Sequence, residues 1–482
     1  MKLCVCVSIV VVLAAAGGGL PQVLAQSPTE FAQTAAYAAA HQNHDGGFAA
    51  GPGQPSTLGA TNSGLRVLDY VGGTVPDLAG CITFVKDCRV KGGSFAQTPG
   101  GKPDVVTTAV GLLAAAELRI ADRAMIDDAV ADFGANAKTF EEVRMSIAGL
   151  EAVAAVSPDF PRWAEQIESL RQPDGSFGEG ASRAFTSGGA AAAILRMGMN
   201  LEKRDVVIAA IKAGQRFEGA WSKDDGPPEL SSSYRVMRAL YMLKEKPDVE
   251  KLVNFISRCR HDDGSYSSTP GGPGSLGSTY FATIILRWLR LLDGKPPVLE
   301  TAAFAPMFNG TDLAGWEGNT ALWSVRDGML VGKSPGLDHN EFLANRQAQG
   351  DFILSLWFRL VEGHGNSGIQ FRSVRVPGTE MSGYQADMGE NYWGCLYDES
   401  RRNKVLVKAS PEAIKTLNKD GWNHYVVYAI GDRVSLYLNG AASAVYREEG
   451  PGIARDGLIA VQIHAGDPME VQFKDLQIRA LP

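Results

Sequence analysis

Gln42-Asn43-His44-Asp45-Gly46-Gly47-Phe48 is a polar run ending in a glycine, any residue and an aromatic, and that ending returns along the first 270 residues. The other copies are Gly93-Ser94-Phe95, Gly175-Ser176-Phe177, Gly219-Ala220-Trp221 and Gly264-Ser265-Tyr266. Their aromatics stand 47, 82, 44 and 45 residues apart, so the 82 reads as two periods with a faded copy near Phe133-Gly134. A period of roughly 45 residues holds two helices and a turn, and such units stack because neither helix buries its apolar face alone. Six units give about twelve helices. Val105 to Leu118, Gly188 to Leu195, Tyr234 to Leu243 and Tyr280 to Leu289 follow the turns and are rich in Ala, Leu, Ile and Val. Thr107, Ser187, Ser231 and Ser278 suit the helix starts. A closed ring and an open solenoid both satisfy this pattern.

The phrases Gln42 to Phe48 and Gln172-Pro173-Asp174-Gly175-Ser176-Phe177 resemble the repeat turns of the prenyltransferase beta-subunit and squalene cyclase superfamily. The resemblance covers about residues 28–293 and implies an alpha/alpha toroid of six helical hairpins around an apolar central cavity. It does not carry the chemistry with it. The D-x-D-D acid of the cyclases is missing, since Asp127-Asp128, Asp224-Asp225 and Asp262-Asp263 are only pairs. The stretches matching the prenyltransferase zinc ligands read Leu230-Ser231-Ser232-Ser233-Tyr234 and Leu276-Gly277-Ser278-Thr279-Tyr280, which offer no thiolate or imidazole. The toroid is therefore expected to be noncatalytic, engaging an apolar ligand or a protein partner.

Lys2, an apolar run through Ala16 and the small-residue end Val23-Leu24-Ala25 predict a signal peptide over residues 1–25 and a periplasmic or secreted protein. No later run approaches the 18 apolar residues of a membrane span, so no transmembrane anchor is expected. The net charge of -7 and the lack of basic runs interleaved with aromatics argue against nucleic acid. Cys81 and Cys88 flank one helical stretch, and either a disulfide or two isolated buried thiols fits them. His41, His44 and His261 fall in toroid turns, where solvated tips are expected.

Asp293-Gly294-Lys295-Pro296-Pro297 opens a linker over residues 294–303, and from Phe304 the pattern changes to period two. Phe352, Leu354, Leu356, Phe358 and Leu360 alternate with mostly more polar neighbours, and Val434 to Leu438 runs into the hairpin pair Asn439-Gly440. Residues 304–482 thus read as an antiparallel beta-sandwich. The whole chain is a multidomain α plus β protein.

Strand parity then gathers a site. Asn366, Gln370 and Arg372 point one way while Ile369 and Phe371 point the other; Gln385 and Asp387 share a face, as do Gln462 and His464. Pooled, these faces make a polar surface flanked by Tyr384, Trp393 and Tyr397, suited to a sugar's hydroxyls and C–H faces. An ordinary wet outer face is the alternative. Trp316, Trp323, Trp357 and Trp422 read as core or sheet-edge aromatics.

Phe308-Asn309-Gly310-Thr311-Asp312-Leu313-Ala314-Gly315-Trp316, Gly365-Asn366-Ser367-Gly368-Ile369-Gln370-Phe371-Arg372, Gly383-Tyr384-Gln385-Ala386-Asp387, Leu396-Tyr397-Asp398-Glu399 and Val461-Gln462-Ile463-His464 resemble, in this order, the 3-keto-disaccharide hydrolase family. That family is similar to concanavalin-like jelly rolls and acts on glycosides oxidised at C3. Many relatives carry Glu where this chain has Gln385. The resemblance implies abstraction of the C2 proton, elimination of the C1 aglycone and hydration. Asp387 or His464 is the expected base, Arg372 or a divalent metal ion the enolate partner, and Asp398 or Glu399 the acid or metal ligand. Asn366, Gln370, Tyr384, Gln385, Trp393, Tyr397 and Gln462 are the expected sugar contacts. The residues also admit plainer roles: Arg372 paired with Asp387, Asp398-Glu399 capping a turn before Arg401 and Arg402, and His464 as a structural hydrogen bonder. A noncatalytic carbohydrate-binding protein is the rival reading; isoprenoid chemistry is the third.

Overall fold

Each Gly-x-aromatic turn is fastened to the helix that follows it by one hydroxyl. In the computed structural model, which describes residues 27–294, 304–450 and 452–481, the backbone N–H of Phe48 donates to Thr61 at 2.9 Å. Phe95 donates to Thr108, Phe177 to Ser187, Trp221 to Ser233 and Tyr266 to Thr279, all within 3.1 Å. The five aromatics are buried, so these hydroxyls satisfy N–H groups that water cannot reach. Ser187 therefore holds a turn rather than starting a helix. The helices begin earlier, with Thr57, Asp104, Thr139 and Ser275 as caps.

The turn glycines are where one unit meets the next. Gly46 lies at φ +83°, and a Cβ there would stand 2.1 Å from the Gly80 carbonyl carbon in the next outer helix. Gly264, at φ +86°, makes the same approach to Gln33 and Thr34 of the first helix. Thr34 also donates to the Gly264 carbonyl at 2.8 Å. The last repeat thus docks on the first, and the ring is closed.

Outer helices Pro28–Ala39, Leu78–Asp87, Arg123–Asn136, Phe160–Glu168, Arg204–Ala213 and Val249–Arg258 surround inner helices Leu58–Val71, Val105–Glu117, Phe140–Ala152, Arg183–Arg196, Leu230–Met242 and Leu276–Leu292. Each inner helix contacts the next, and the last contacts the first. The faded repeat is not where the spacing puts it. Phe133 and Gly134 lie inside an outer helix, and the chain reverses at Ala137–Thr139 without an aromatic. The central cavity also departs from expectation, being lined by arginines as well as apolar side chains.

Cys81 and Cys88 are free, with their thiols pushed up to about 12 by burial and by nearby aspartates. His41 is buried rather than solvated, its Nδ1 bonded to the Tyr37 carbonyl. The predicted signal peptide and most of the predicted linker lie outside the described residues. No helix among the described residues is long and apolar enough to cross a membrane.

The C-terminal half is two antiparallel sheets. One runs Lys404–Val407, Leu396–Glu399, Met381–Gly389, Asn366–Arg375, Leu458–Ile463, Glu341–Asn345, Trp316–Glu317. The other is eight-stranded and contains Phe352–Leu360, Asn423–Ile430, Arg433–Leu438 and Met469–Ala480. Leu354, Leu356 and Phe358 meet Ile369, Phe371, Ala386 and Val461 between them. The sandwich sits where the inner helices end. Arg119, just past one, pairs with Asp351 at 2.6 Å; Arg479 donates to the Gly73 carbonyl at 3.0 Å; Leu291 packs beside Ile353, Val426, Tyr428 and Tyr437.

Candidate functional site

The outer face of the seven-stranded sheet carries polar side chains that are nevertheless shut away from water. Gln385 stands opposite Gln370 on one side and Tyr397 on the other, and Gln370 opposite Ala460. One step along, Asp387 faces Gly368; Gln462, two residues beyond Ala460, shares that face. Further along, His464 donates its backbone N–H to the Asn366 carbonyl. Period two thus brings Asn366, Gln370, Gln385, Asp387, Tyr397, Glu399, Gln462 and His464 onto one face of four neighbouring strands.

These residues form a floor and a rim. Gln370, Gln385, Asp387, Asn366, Gln462 and Glu399 are buried, whereas Tyr397, His464, Glu380 and Asn340 keep part of their surface open. An ordinary wet face would leave the floor exposed. Gly368 keeps the floor low, since a Cβ there would stand 2.3 Å from the Gln385 amide carbon. Across it, Ser373 donates to Gln370 at 2.6 Å and Gln370 to Gln385 at 2.8 Å, with the Gln385 amide turned towards Asp387. Among the described residues, both polar atoms of the Gln462 side chain, and the Asn366 Oδ1, are buried without a partner. An unpaired buried polar atom costs about 1–3 kcal/mol, so these three atoms are available to a water or a ligand.

The carboxyls lie well away from their ordinary behaviour. Burial, then the Glu399 charge, holds the Asp387 carboxyl well above the usual carboxylate range. Burial, then the Glu380 charge, raises Glu399, with His464 pulling the other way. Glu399 stands opposite Gly383, four residues along the strand from Asp387, so its charge acts on Asp387 across the floor and not as a direct partner. His464 bonds through Nδ1 to the Ala465 carbonyl at 2.6 Å. A carbonyl only accepts, so Nδ1 carries the proton and Nε2 is the free nitrogen.

Four expected residues are elsewhere. Arg372 sits at φ +48°, where Phe371 pairs with Tyr384 but Val374 pairs with Ser382. This bulge breaks the parity. Its guanidinium reaches Asp351 at 2.5 Å and the Gly431 carbonyl at 2.8 Å, both at the opposing sheet. Asp398 and Tyr384 pair with each other and face the core side. There Asp398 holds Arg401 and Arg402, and the Tyr384 hydroxyl donates to Glu448 at 2.5 Å. Trp393 is buried in the core beside Phe358. Trp316 and Trp323 are core, as their sequence context indicates.

Sequence reading missed Glu380, Asn340 and Tyr392. Asn340 donates to Glu380 at 3.0 Å and accepts from the Ala465 backbone N–H at 2.9 Å, so a distant loop fixes the His464 end of the site. Tyr392 stacks edge-on against Tyr397 at 6.1 Å and supplies the aromatic rim that Trp393 does not. A divalent ion does not fit the site: among the described residues, no three His, Cys, Asp or Glu side chains gather closely enough to hold one.

The model of the prenyltransferase alpha-alpha toroid domain matches residues 5–158 and 143–316, together more than half of the chain. That of the 3-keto-alpha-glucoside-1,2-lyase-like domain matches residues 303–479. Among solved structures, carbohydrate binding module CBM66 from Bacillus subtilis is similar at 19% identity, covering 36% of this chain and 100% of that one, with a TM-score of 0.29. A protein with a galectin-like fold from the same organism is 13% identical over 37% of this chain and 94% of its own, with a TM-score of 0.30. Candida albicans protein geranylgeranyltransferase-I is 13% identical over 49% of this chain and 84% of its own, with a TM-score of 0.40. A search of curated proteins finds no match. The C-terminal match supports a carbohydrate-related role.

Proposed function

We propose, for a chain that belongs through residues 5–316 to the prenyltransferase alpha-alpha toroid domain family, that the chemistry lies outside the toroid, at the two buried carboxyls, Asp387 and Glu399, on the polar face of the sandwich. The activity is cleavage of 3-keto-glycosides by elimination at C1 and C2. The observation that carries this reading is the floor of the site: two carboxyls with raised proton affinity beside amide atoms left without partners.

The carbonyl at C3 acidifies the C2 hydrogen, so the step needs a base and a donor for the enolate oxygen. With Arg372 turned away, a proton takes the place of that cation. Asp387, the more deeply buried of the pair, keeps its proton and donates to O3, and the Gln462 amide is a second donor. Glu399, nearer the rim, is the base. It takes the C2 proton, the electrons pass to O3, and the enolate collapses with cleavage of the C1–O bond. The departing oxygen receives the proton from Glu399, directly or by way of His464. Water then adds at C1 and a proton at C2, releasing the keto sugar. Gln385 orients the acid: its amide and the Met388 N–H both donate to Asp387 Oδ1, which leaves Oδ2 to carry the proton, while burial outweighs the lowering effect of those two bonds. Tyr392 and Tyr397 offer planar rings at the rim.

Purified full-length chain incubated with 3-keto-trehalose is expected to release the 3-keto sugar and glucose. Binding without turnover would favour the rival reading, a noncatalytic carbohydrate-binding protein. Export to the periplasm or beyond, expected from residues 1–25, is part of this proposal and is checked by fractionation.

A further inference from the structure

The toroid lumen is a cavity of about 350 Å³ with six cations in its lining, Arg66, Arg144, Arg196, Lys223, Arg235 and Arg238, against one lining carboxylate, Glu229. Three more carboxylates stand behind the wall. Glu117 pairs with Arg66 at 3.6 Å, Glu151 with Arg196 at 3.5 Å, and Glu141 serves both Arg235, at 2.7 Å, and Arg144. Six cations less four carboxylates leave two positive charges with no carboxylate to offset them, and only the Tyr234 phenol in the lining can ionise against them. Arg238 is the most exposed to this deficit. Among the described residues it has no ion pair, and its buried Nε has no hydrogen-bond partner; its guanidinium lies over Trp288, 4.3 Å from the ring centre. The Arg196 side chain is only 6% exposed, and among the described residues its Nε has the 3.5 Å ion pair with Glu151 but no hydrogen bond.

Two features add to the positive field. The sandwich occupies the side where the inner helices end, so the free side of the cavity, near Gly59, Lys223 and Ser231, is where they begin. Helix N-termini favour anions. One phenol, Tyr234, answers the same field, while its neighbour Tyr280 is raised by burial and by the Tyr234 charge. Burial alone would raise the proton affinity of Tyr234, but Arg238, Arg196, the Tyr280 hydroxyl at 3.0 Å and Arg66 bring it down to about 7.

We propose that the lumen binds a small organic oxyanion of charge about two, a dicarboxylate or a phosphate ester, held by Arg238 and Arg196 against the walls of Tyr234, Tyr280 and Phe281. A hydrocarbon chain would leave Arg238 without a counter-charge and Arg196 with only the 3.5 Å contact to Glu151, which is the costlier state. The apolar ligand anticipated from the superfamily is therefore the wrong class for this cavity.

The test uses the full chain, titrated calorimetrically with malonate and separately with inorganic phosphate, ionic strength being held constant with sodium chloride. Saturable one-site binding of at least one probe is expected, and the tighter of the two identifies the source chemistry. Arg238→Met should weaken binding at least tenfold while leaving the unliganded melting temperature unchanged or higher, because it removes an unpaired buried charge. Glu151→Gln, at a partly exposed position, should tighten binding at least threefold by releasing Arg196. At pH 8, tyrosinate absorbance at 295 nm should fall as the probe binds. No saturable binding of either probe, undiminished binding in Arg238→Met, or unchanged affinity in Glu151→Gln would overturn the proposal. If Arg238→Met fails to fold, the Glu151→Gln and absorbance results decide it. None of these readings depends on the sandwich site.

Discussion

In the proposed scheme Asp387 and Glu399 divide the work of the site because one is deeper than the other. If Asp387 donates a proton to O3, then Asp387→Asn keeps a donor and should retain turnover of 3-keto-trehalose within about tenfold, while Asp387→Leu should lose about a hundredfold or more. Glu399→Gln, which removes the base, should also lose about a hundredfold or more in kcat, with KM little changed. The raised Asp387 carboxyl has a stability signature too. The native state holds that proton more tightly than the unfolded chain, so its contribution is complete below the ordinary carboxylate range and is lost as pH rises through the native value. Asp387→Asn should therefore melt about 2–4 °C above the wild type at pH 8 and close to it at pH 4, by calorimetry. Most of this site was legible in the sequence, because period two alone aligns Gln370, Gln385, Asp387 and Gln462. Arg372 was not, since a bulge defined by residues of a neighbouring strand turned it away. Asp398 was a different matter: as the immediate neighbour of Glu399 on one strand, it had to face the other side.

At the scale of the element, the repeat works through a hydroxyl and a glycine. Thr61→Val is nearly isosteric and leaves the buried Phe48 N–H unpaired, so it should cost about 1–3 kcal/mol in urea denaturation. Gly46→Ala should cost more, since it combines a left-handed backbone with a Cβ 2.1 Å from a carbonyl carbon that has no room to move. Five of the six turns could be read in the sequence because their glycine and aromatic are both obligatory. The sixth could not. Its reversal at Ala137–Thr139 relies on the Thr139 and Glu142 capping box, which carries no aromatic mark.

At the scale of the whole molecule, the two domains meet at Asp351, which holds Arg372 of the sandwich at 2.5 Å and Arg119 of the toroid at 2.6 Å. Removing one member of a buried pair strands the other charge, and Asp351→Ala should cost about 3–5 kcal/mol, with the two halves unfolding at separate midpoints. The residue placed at the catalytic centre by parity is thus a tie between domains. Sequence pattern could not foresee this, because the partner at position 119 belongs to another fold. It also sharpens the proposal, in which an enolate is stabilised by protons instead of a guanidinium. The most direct measurement is proton NMR of the full chain with a 3-keto-glycoside in heavy water. Loss of the C2 proton signal at the rate of aglycone release, abolished in Glu399→Gln, is the predicted result. Aglycone release without deuterium at C2, or undiminished exchange in Glu399→Gln, would contradict the account.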